Sequence, residues 1–324
     1  MTEEINNSSK KISAVVVTYN GTKTICSCLD SLLDSSYKVQ IVVVDNASTD
    51  ETLELLQNYP NIVLLQLKEN IGFGQANNLG ISYAMDHDSD YVFLLNQDAL
   101  VDQTTIEQLF SFAEGNPEYG IISPLHLNGD GSEIDPKVIG HINRGNPHFF
   151  SDLYFDRIQT SYDLPFINAA AWLISSDCIK KVGGFSNLFF MYCEDDDYCY
   201  RVRLNGFKVA FLPDSIIYHK RISNIPTQTG WGEVKLKAIR ETSNIIHILT
   251  NNPSSFFKQS LNWFVTHSLR IVKALFDLRF KEAFILLVAK AFVLMKIPSM
   301  IEHRNYIHRG IQNNLPQVYK KIDA

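Results

Sequence analysis

Apolar residues in the first hundred positions fall into short continuous runs separated by polar loops and by stretches of helical period. ISAVVVTYN, VQIVVVD, IVLLQLKE and DYVFLLNQD have little apolar/polar alternation and are rich in aliphatic residues, as expected of strands buried on both faces. Between them, TICSCLDSLLDSS places Ile25, Leu29, Leu32 and Leu33 at helical spacing. NASTDETLELLQNY offers Ser48 or Thr49 as a helix cap, with Asp50 and Glu51 in the first turn. GQANNLGISYAMDH reads as a third helix. Strand and helix thus alternate, which predicts an α/β fold with an open parallel sheet and right-handed crossovers. Ligands bind such sheets at the carboxyl ends of the strands. The residues expected there are Thr18, Tyr19 and Asn20, then Asp45 and Asn46, then Asn70, then Asn96 and Asp98.

Beyond Asp98 the pattern is mixed. TTIEQLFSFAEGNPEYG predicts a helix and IISPLHL a strand. Residues 129–164 show little periodicity and are expected to be loop-rich, either a mobile loop over the site carrying His141, Arg144, His148 and Phe149 or a variable insertion. FINAAAWLISSDCIKKVGGF predicts a buried strand, a short helix from about Ser176 and a Gly-Gly turn. EDDDYCYRVRLNG predicts a helix ended by Gly206, and FKVAFLPDSIIYH a further strand. After Trp231 the chain reads as mainly helical.

Composition narrows the picture. At 324 residues with a net charge of −6 the chain can build a sizeable core and has no generally basic surface for nucleic acid. The charge is uneven: from Asn251 onward there are roughly 11 Lys/Arg against roughly 4 Asp/Glu. Five cysteines without zinc or redox spacing are expected to be reduced thiols. The polar N-terminus, residues 1–10, is expected to be disordered and not a secretory signal. The most apolar late run, Ala283 to Met295, falls short of the about 20 residues a bilayer span needs, so a soluble or peripheral protein is expected.

The run MYCEDDDYCYR raises its own question, because Glu194, Asp195, Asp196 and Asp197 repel one another. Acids at the positive end of a helix account for one or two of them. VVVTYNG, VVVDNASTDET, NIGFGQANNLG, FLLNQDA, GGF, FFMYCEDDDYCYRVRLNGF and IIYH, in this order over residues 12–219, resemble the family 2 glycosyltransferases, and within them the rhamnosyltransferase-like branch. The resemblance implies a GT-A fold with a mainly parallel central sheet plus a helical C-terminal region. It divides the chain into a catalytic domain over 11–230, with donor binding in 11–100 and acceptor and catalytic functions in 101–230, and a helical region over 231–324. It implies a nucleotide-diphosphate sugar donor and metal-assisted transfer with inversion.

By the same resemblance, Asp45 accepts the imide N–H of a uracil or thymine base, and Thr18, Tyr19 and Asn20 line that pocket; the alternative is a residue that shapes a turn. Asn70, Gly74, Asn78 and Asn96 are implied to lie near the donor. Asn96-Gln97-Asp98 stands where many relatives have Asp-x-Asp, so Asp98 alone remains as a carboxylate ligand for Mg²⁺ or Mn²⁺. His219 is a further candidate ligand that favours Mn²⁺. Asp195 is implied to be the catalytic base, Glu194 its orienting neighbour, and Asp197 is expected to pair with Arg201 along the helix. Trp172 is a weak candidate for acceptor contact, with an ordinary core role as the alternative. The expected reaction moves a sugar, L-rhamnose from dTDP-rhamnose, to a saccharide or polyprenyl-linked acceptor in the cytoplasm. UDP-linked galactofuranose, glucose or GlcNAc, or an inactive nucleotide-binding scaffold, are the alternatives. The basic, aromatic-rich tail reads as a peripheral membrane contact, a homodimer interface, or helices packed on the core.

Overall fold

The computed structural model describes residues 10–221, 231–251 and 255–309. All of the N-terminus expected to be disordered except Lys10 lies outside them, as does the expected boundary at residue 230. The first half follows the alternation read from the apolar runs: β1 (Ile12–Thr18), α1 (Ile25–Leu33), β2 (Gln40–Asp45), α2 (Thr52–Leu56), β3 (Val63–Gln66), α3 (Phe73–Asp86) and β4 (Tyr91–Asn96). β1 pairs in parallel with β2 and β4, and β2 with β3. β1, β2 and β4 are buried on both faces and feed one core on each side of the sheet, whereas the edge strand β3, expected to be buried likewise, alternates half-buried and exposed residues. One boundary differs from expectation. α2 starts at Thr52, not at Ser48 or Thr49, because the Ser48 hydroxyl accepts the Asn20 amide at 2.9 Å and Ala47 takes a left-handed φ of 63°.

The second half adds β5 (Ala99–Val101), α4 (Thr105–Gly115), β6 (Tyr119–Asn128), α5 (Pro136–Gly145), α6 (His148–Tyr154), β7 (Tyr162–Asp163), β8 (Ala171–Ser175), α7 (Ser176–Val182), α8 (Glu194–Leu204) and β9 (Lys208–His219). The sheet runs β3-β2-β1-β4-β8-β6-β9-β5, with β7 also on β9. β8 is antiparallel to both β4 and β6, while β6 and β9 are parallel, so the sheet is mixed. Residues 129–164 are not the loop the weak periodicity suggested. Asp135 caps α5 through the Lys137 amide at 2.9 Å with Pro136 at the first helical position, and Val138, Ile142 and Phe149 enter the main core. Val138 and Ile142, four apart, form the buried face of α5, but over ten residues that stripe is too short to stand out in the sequence.

Three further helices follow among the described residues: α9 (Trp231–Asn251), α10 (Phe256–Phe276) and α11 (Phe280–Arg309). Ile245, Ile246 and Leu249 of α9 and Val293 and Met300 of α11 enclose Leu188 and Phe189, so these helices pack on the segment leading into α8. The apolar run at Ala283 to Met295 belongs to a much longer helix. Neither Lys290 nor Lys296 ends it, and Phe280–Ile307 is long and apolar enough to cross a membrane by length and composition alone. This corrects the expectation of a run too short to span.

Candidate active site

The carboxyl ends of β1, β2 and β4 meet at one edge. Gln97 ties two of them together: its Oε1 accepts the Thr18 hydroxyl at 2.6 Å and the Tyr19 amide at 3.1 Å, and its Nε2 donates to the Tyr19 carbonyl. Asn20, in a left-handed conformation with φ 50°, joins the β1 loop to the β2 loop, accepting the Thr49 amide at 2.8 Å. Asn46 donates to Asn70 Oδ1 at 3.1 Å and accepts the Ile71 amide at 2.9 Å, which fastens the loop after β3. Asp45 is fully buried. One carboxylate oxygen takes the Ser48 amide at 3.2 Å, and the other, like Asn96 Oδ1, has no hydrogen-bond partner among the described residues. A buried acceptor left open in this way is costly unless something else satisfies it.

β9 ends beside β5, which brings His219 next to Asp98. His219 is buried, with Nε2 3.3 Å from Asp98 Oδ1 and Nδ1 3.4 Å from Asp135 Oδ2. Burial works against charging the imidazole, but the two carboxylates raise its pKa on balance. Burial also works to raise Asp135, while His219, Arg221 and the Lys137 amide hold it below the usual carboxylate range; the Arg221 Nε lies 2.6 Å away. A histidine whose Nδ1 faces a buried carboxylate presents Nε2 outward, the arrangement common behind metal-bound imidazoles. Two donors about 3 Å apart suit neighbouring positions around one ion with ligands at about 2 Å. Among the described residues no group of three or more His, Cys, Asp or Glu forms a complete cage. An ion here would draw its remaining ligands from phosphate and water.

The acidic run opens α8. Tyr192 and Cys193 both have left-handed φ, 71° and 67°, so the backbone enters the helix under strain. α9 holds this entry: Ser243 Oγ donates to the Met191 carbonyl at 2.8 Å and Arg240 to the Tyr192 hydroxyl at 3.1 Å. The four acids then separate into distinct environments. Asp197 is fully buried between Arg201 and His303, each 2.8 Å away. Glu194 is buried with one carboxylate oxygen unpartnered among the described residues. Asp195 is partly exposed and accepts the Asp196 amide at 3.0 Å. Burial and the adjacent carboxylates raise the pKa of both Glu194 and Asp195, and Glu194 further. Both carboxyls are therefore held closer to neutral pH than free acids, Glu194 the further of the two. Burial and Arg221 lower the Lys137 ammonium, while Asp135 and Asp195 act in the opposite direction.

The family model for glycosyl transferase family 2 matches residues 13–183, more than half of the chain. The chain belongs to this family. A relative from Mycobacterium tuberculosis, N-acetylglucosaminyl-diphospho-decaprenol L-rhamnosyltransferase, is 26% identical over 80% of this chain and 91% of its own length. The dTDP-rhamnosyl transferase RfbF of Shigella flexneri is 24% identical over 65% of this chain and 69% of its own. The fold matches that of the Pyrobaculum calidifontis mannosyltransferase PcManGT, solved in complex with GDP-Man and Mn²⁺. The TM-score is 0.53 at 17% identity, over 89% of this chain and 75% of that one. This glycosyltransferase therefore has the GT-A fold expected, a mixed sheet with mostly parallel strands followed by a C-terminal helical region.

Set against the expected site of a family 2 glycosyltransferase, most candidates converge, Gly74 lies against Glu194, and Asn78 and Trp172 point elsewhere. Thr18, Tyr19, Asn20, Asp45, Asn70 and Asn96 share the strand-end edge, and Asp98 meets His219. Asn78 is instead engaged with the backbone of Phe185, donating to its carbonyl at 2.9 Å and accepting its amide at 2.7 Å. Gly74 gives α3 room against Phe185 and Glu194; a Cβ there would stand 2.9 Å from the Phe185 Cβ. Trp172 is fully buried, stacked on Phe185 at 6.0 Å and packed against Tyr198, so it offers no face to a sugar. Gln97 and Asp135 escaped the sequence reading. The first sits inside the motif already singled out; the second carried only the signal of an Asp-Pro helix start.

Proposed function

We propose that this glycosyltransferase transfers L-rhamnose from dTDP-rhamnose, with inversion, to a saccharide or polyprenyl-linked saccharide in bacterial surface polysaccharide synthesis, working from the cytoplasmic side. The names of the Mycobacterium and Shigella relatives support the sugar and the kind of acceptor. The chemistry rests on one observation: two adjacent acids at the start of α8 in different surroundings, Glu194 buried with one carboxylate oxygen open and Asp195 partly exposed. Asp195 is the base. It takes the proton of the acceptor hydroxyl as that oxygen bonds to the anomeric carbon, and the bond from that carbon to the donor diphosphate breaks with its electron pair. Glu194 orients Asp195 or the acceptor by donating its proton in a hydrogen bond.

The open oxygen of Asp45 accepts the imide N–H of the thymine base, in a pocket lined by Thr18, Tyr19 and Asn20. Asp98 and His219 would hold a divalent ion, Mn²⁺ or Mg²⁺, which would neutralise charge on the leaving diphosphate. Asp135 keeps the His219 ring turned toward Asp98. Thermal shift with dTDP, UDP, GDP and CMP, each with Mg²⁺, Mn²⁺ or EDTA, tests the reading. A ligand at about 100 times its Kd adds roughly 2.7 kcal/mol. Stabilisation by dTDP alone, dependent on metal, supports the rhamnosyl donor. Stabilisation by UDP alone replaces it with a UDP-sugar, and no response to any nucleotide favours an inactive scaffold.

A further inference from the structure

The C-terminal helices leave a large apolar surface uncovered. α10 buries His267, Ile271 and Ala274 against its neighbours, while Phe257, Leu261, Val265, Leu269, Val272 and Phe276 form a separate stripe at helical spacing open to solvent. Phe257 is 77% exposed and Phe276 88%. α11 does the same, with Phe284, Leu287, Leu294 and Met295 outside and Ala283, Leu286, Ala289 and Val293 inside. Lys290 joins the stripes at the seam between the helices. It bonds Ser268 Oγ and lies 3.6 Å above the Phe264 ring, with exposed Leu287 and Leu294 on either side of it along α11. A contiguous apolar face of this length marks an interaction site.

Charge identifies the occupant. α10 carries Lys258, Arg270 and Lys273 and no carboxylate. Residues 256–309 hold nine Lys/Arg and three Asp/Glu in a chain whose net charge is −6. Among the described residues Lys258 and Lys273 make no ion pair. A second copy packed on this stripe about a two-fold axis would bring α10 against α10, cation facing cation with no acid to match. An anionic lipid surface accepts both the apolar stripe and the cations beside it. α11 is held against the rest of the chain and is not free to cross a bilayer. Its inner face is packed on α9 and α10, and His303 near its end is fully buried 2.8 Å from Asp197 of the catalytic domain.

We infer that the joined outer faces of α10 and α11 seat this enzyme on an anionic membrane surface. The inference does not depend on which sugar is transferred, and its test uses no donor. The full chain is floated with vesicles of phosphatidylcholine alone or with about a third phosphatidylglycerol. Binding is expected only to the anionic vesicles and is expected to weaken in high salt. Each lysine near such a surface is worth roughly fivefold in partitioning, so Lys258→Gln with Lys273→Gln should weaken binding about 30-fold. Phe257→Ser with Phe276→Ser, both outside the core, should lower binding at least about tenfold at an unchanged melting temperature. Failure of the parent to float with anionic vesicles, equal binding to neutral ones, or variants that bind like the parent would overturn the inference. So would a dimer in light scattering that Phe257→Ser and Phe276→Ser dissociate, since a second copy would then cover the face.

Discussion

Asp197→Asn isolates the link between the catalytic helix and the C-terminal region. The parent carboxylate is fully buried, 2.8 Å from Arg201 Nε on one oxygen and 2.8 Å from His303 Nε2 on the other. Burial alone would raise its pKa, but His303 and Arg201 hold it well below the carboxylate range. Asparagine keeps the volume and removes the charge. Arg201 retains the carbonyls of Val182 and Gly184, at 3.0 and 2.8 Å, but loses this carboxylate at a fully buried position. Removing one partner of a buried ion pair costs about 3–5 kcal/mol. The two remaining acceptors place the expected loss at the lower end, about 3 kcal/mol, or a fall in melting temperature of about 4 °C for a chain of 324 residues.

The neighbouring residue is the control. Asp196 is partly exposed, and burial and Asp197 push its pKa up to about 6, so Asp196→Asn should leave stability unchanged or slightly raised. Because the folded pKa of Asp197 is depressed, its contribution is complete above the unfolded value of about 4 and is lost as pH falls below it. The parent and Asp197→Asn melting curves should therefore converge in acid. A loss under about 1 kcal/mol at neutral pH, no convergence, or an equal loss in Asp196→Asn would refute the reasoning.

Further outcomes follow from the same geometry. Asp195→Asn should lower turnover by about 10²–10⁴-fold while nucleotide binding by thermal shift is kept; full activity would remove Asp195 as the base. Since a base acts when deprotonated and Asp195 is pushed up to about 6, kcat should rise with pH through that region. Asp196→Asn should move this limb to lower pH, because Asp196 is one cause of the shift. Asp135→Asn should weaken Mn²⁺ binding, read by electron paramagnetic resonance, about 10–100-fold, and an unchanged affinity would show that His219 needs no such support. Asn78→Leu should lower stability by about 1–3 kcal/mol, since it strips both bonds from the buried Phe185 backbone, with nucleotide affinity unchanged; lost affinity at full stability would return Asn78 to the donor site.

Buried parallel strands announce themselves in sequence because both faces must be apolar, which is why β1, β2 and β4 and the polar residues at their ends were legible. Features made by long-range contact were not. Asp135 and His219 are far apart in sequence, and nothing local marks them as partners. Trp172 could be a sugar platform or a core residue until Phe185 and Tyr198 close over it. The acidic run shows the limit best. Sequence pattern foresaw Asp197 with Arg201, four residues apart on one helix. It could not foresee His303, which α11 brings back against Asp197.

 Phe280, where α11 starts, stands 76 positions beyond Leu204, where α8 ends, and no local spacing rule reaches across that distance. The consequence is physical. α9 fixes the strained entry at Met191 and Tyr192, and α11 fixes Asp197, so the three acids between them, Glu194 and Asp195 included, are held from both sides by the C-terminal helices. A catalytic domain cut before Trp231 would keep every motif that marks the family and lose the contacts that hold its acids in place.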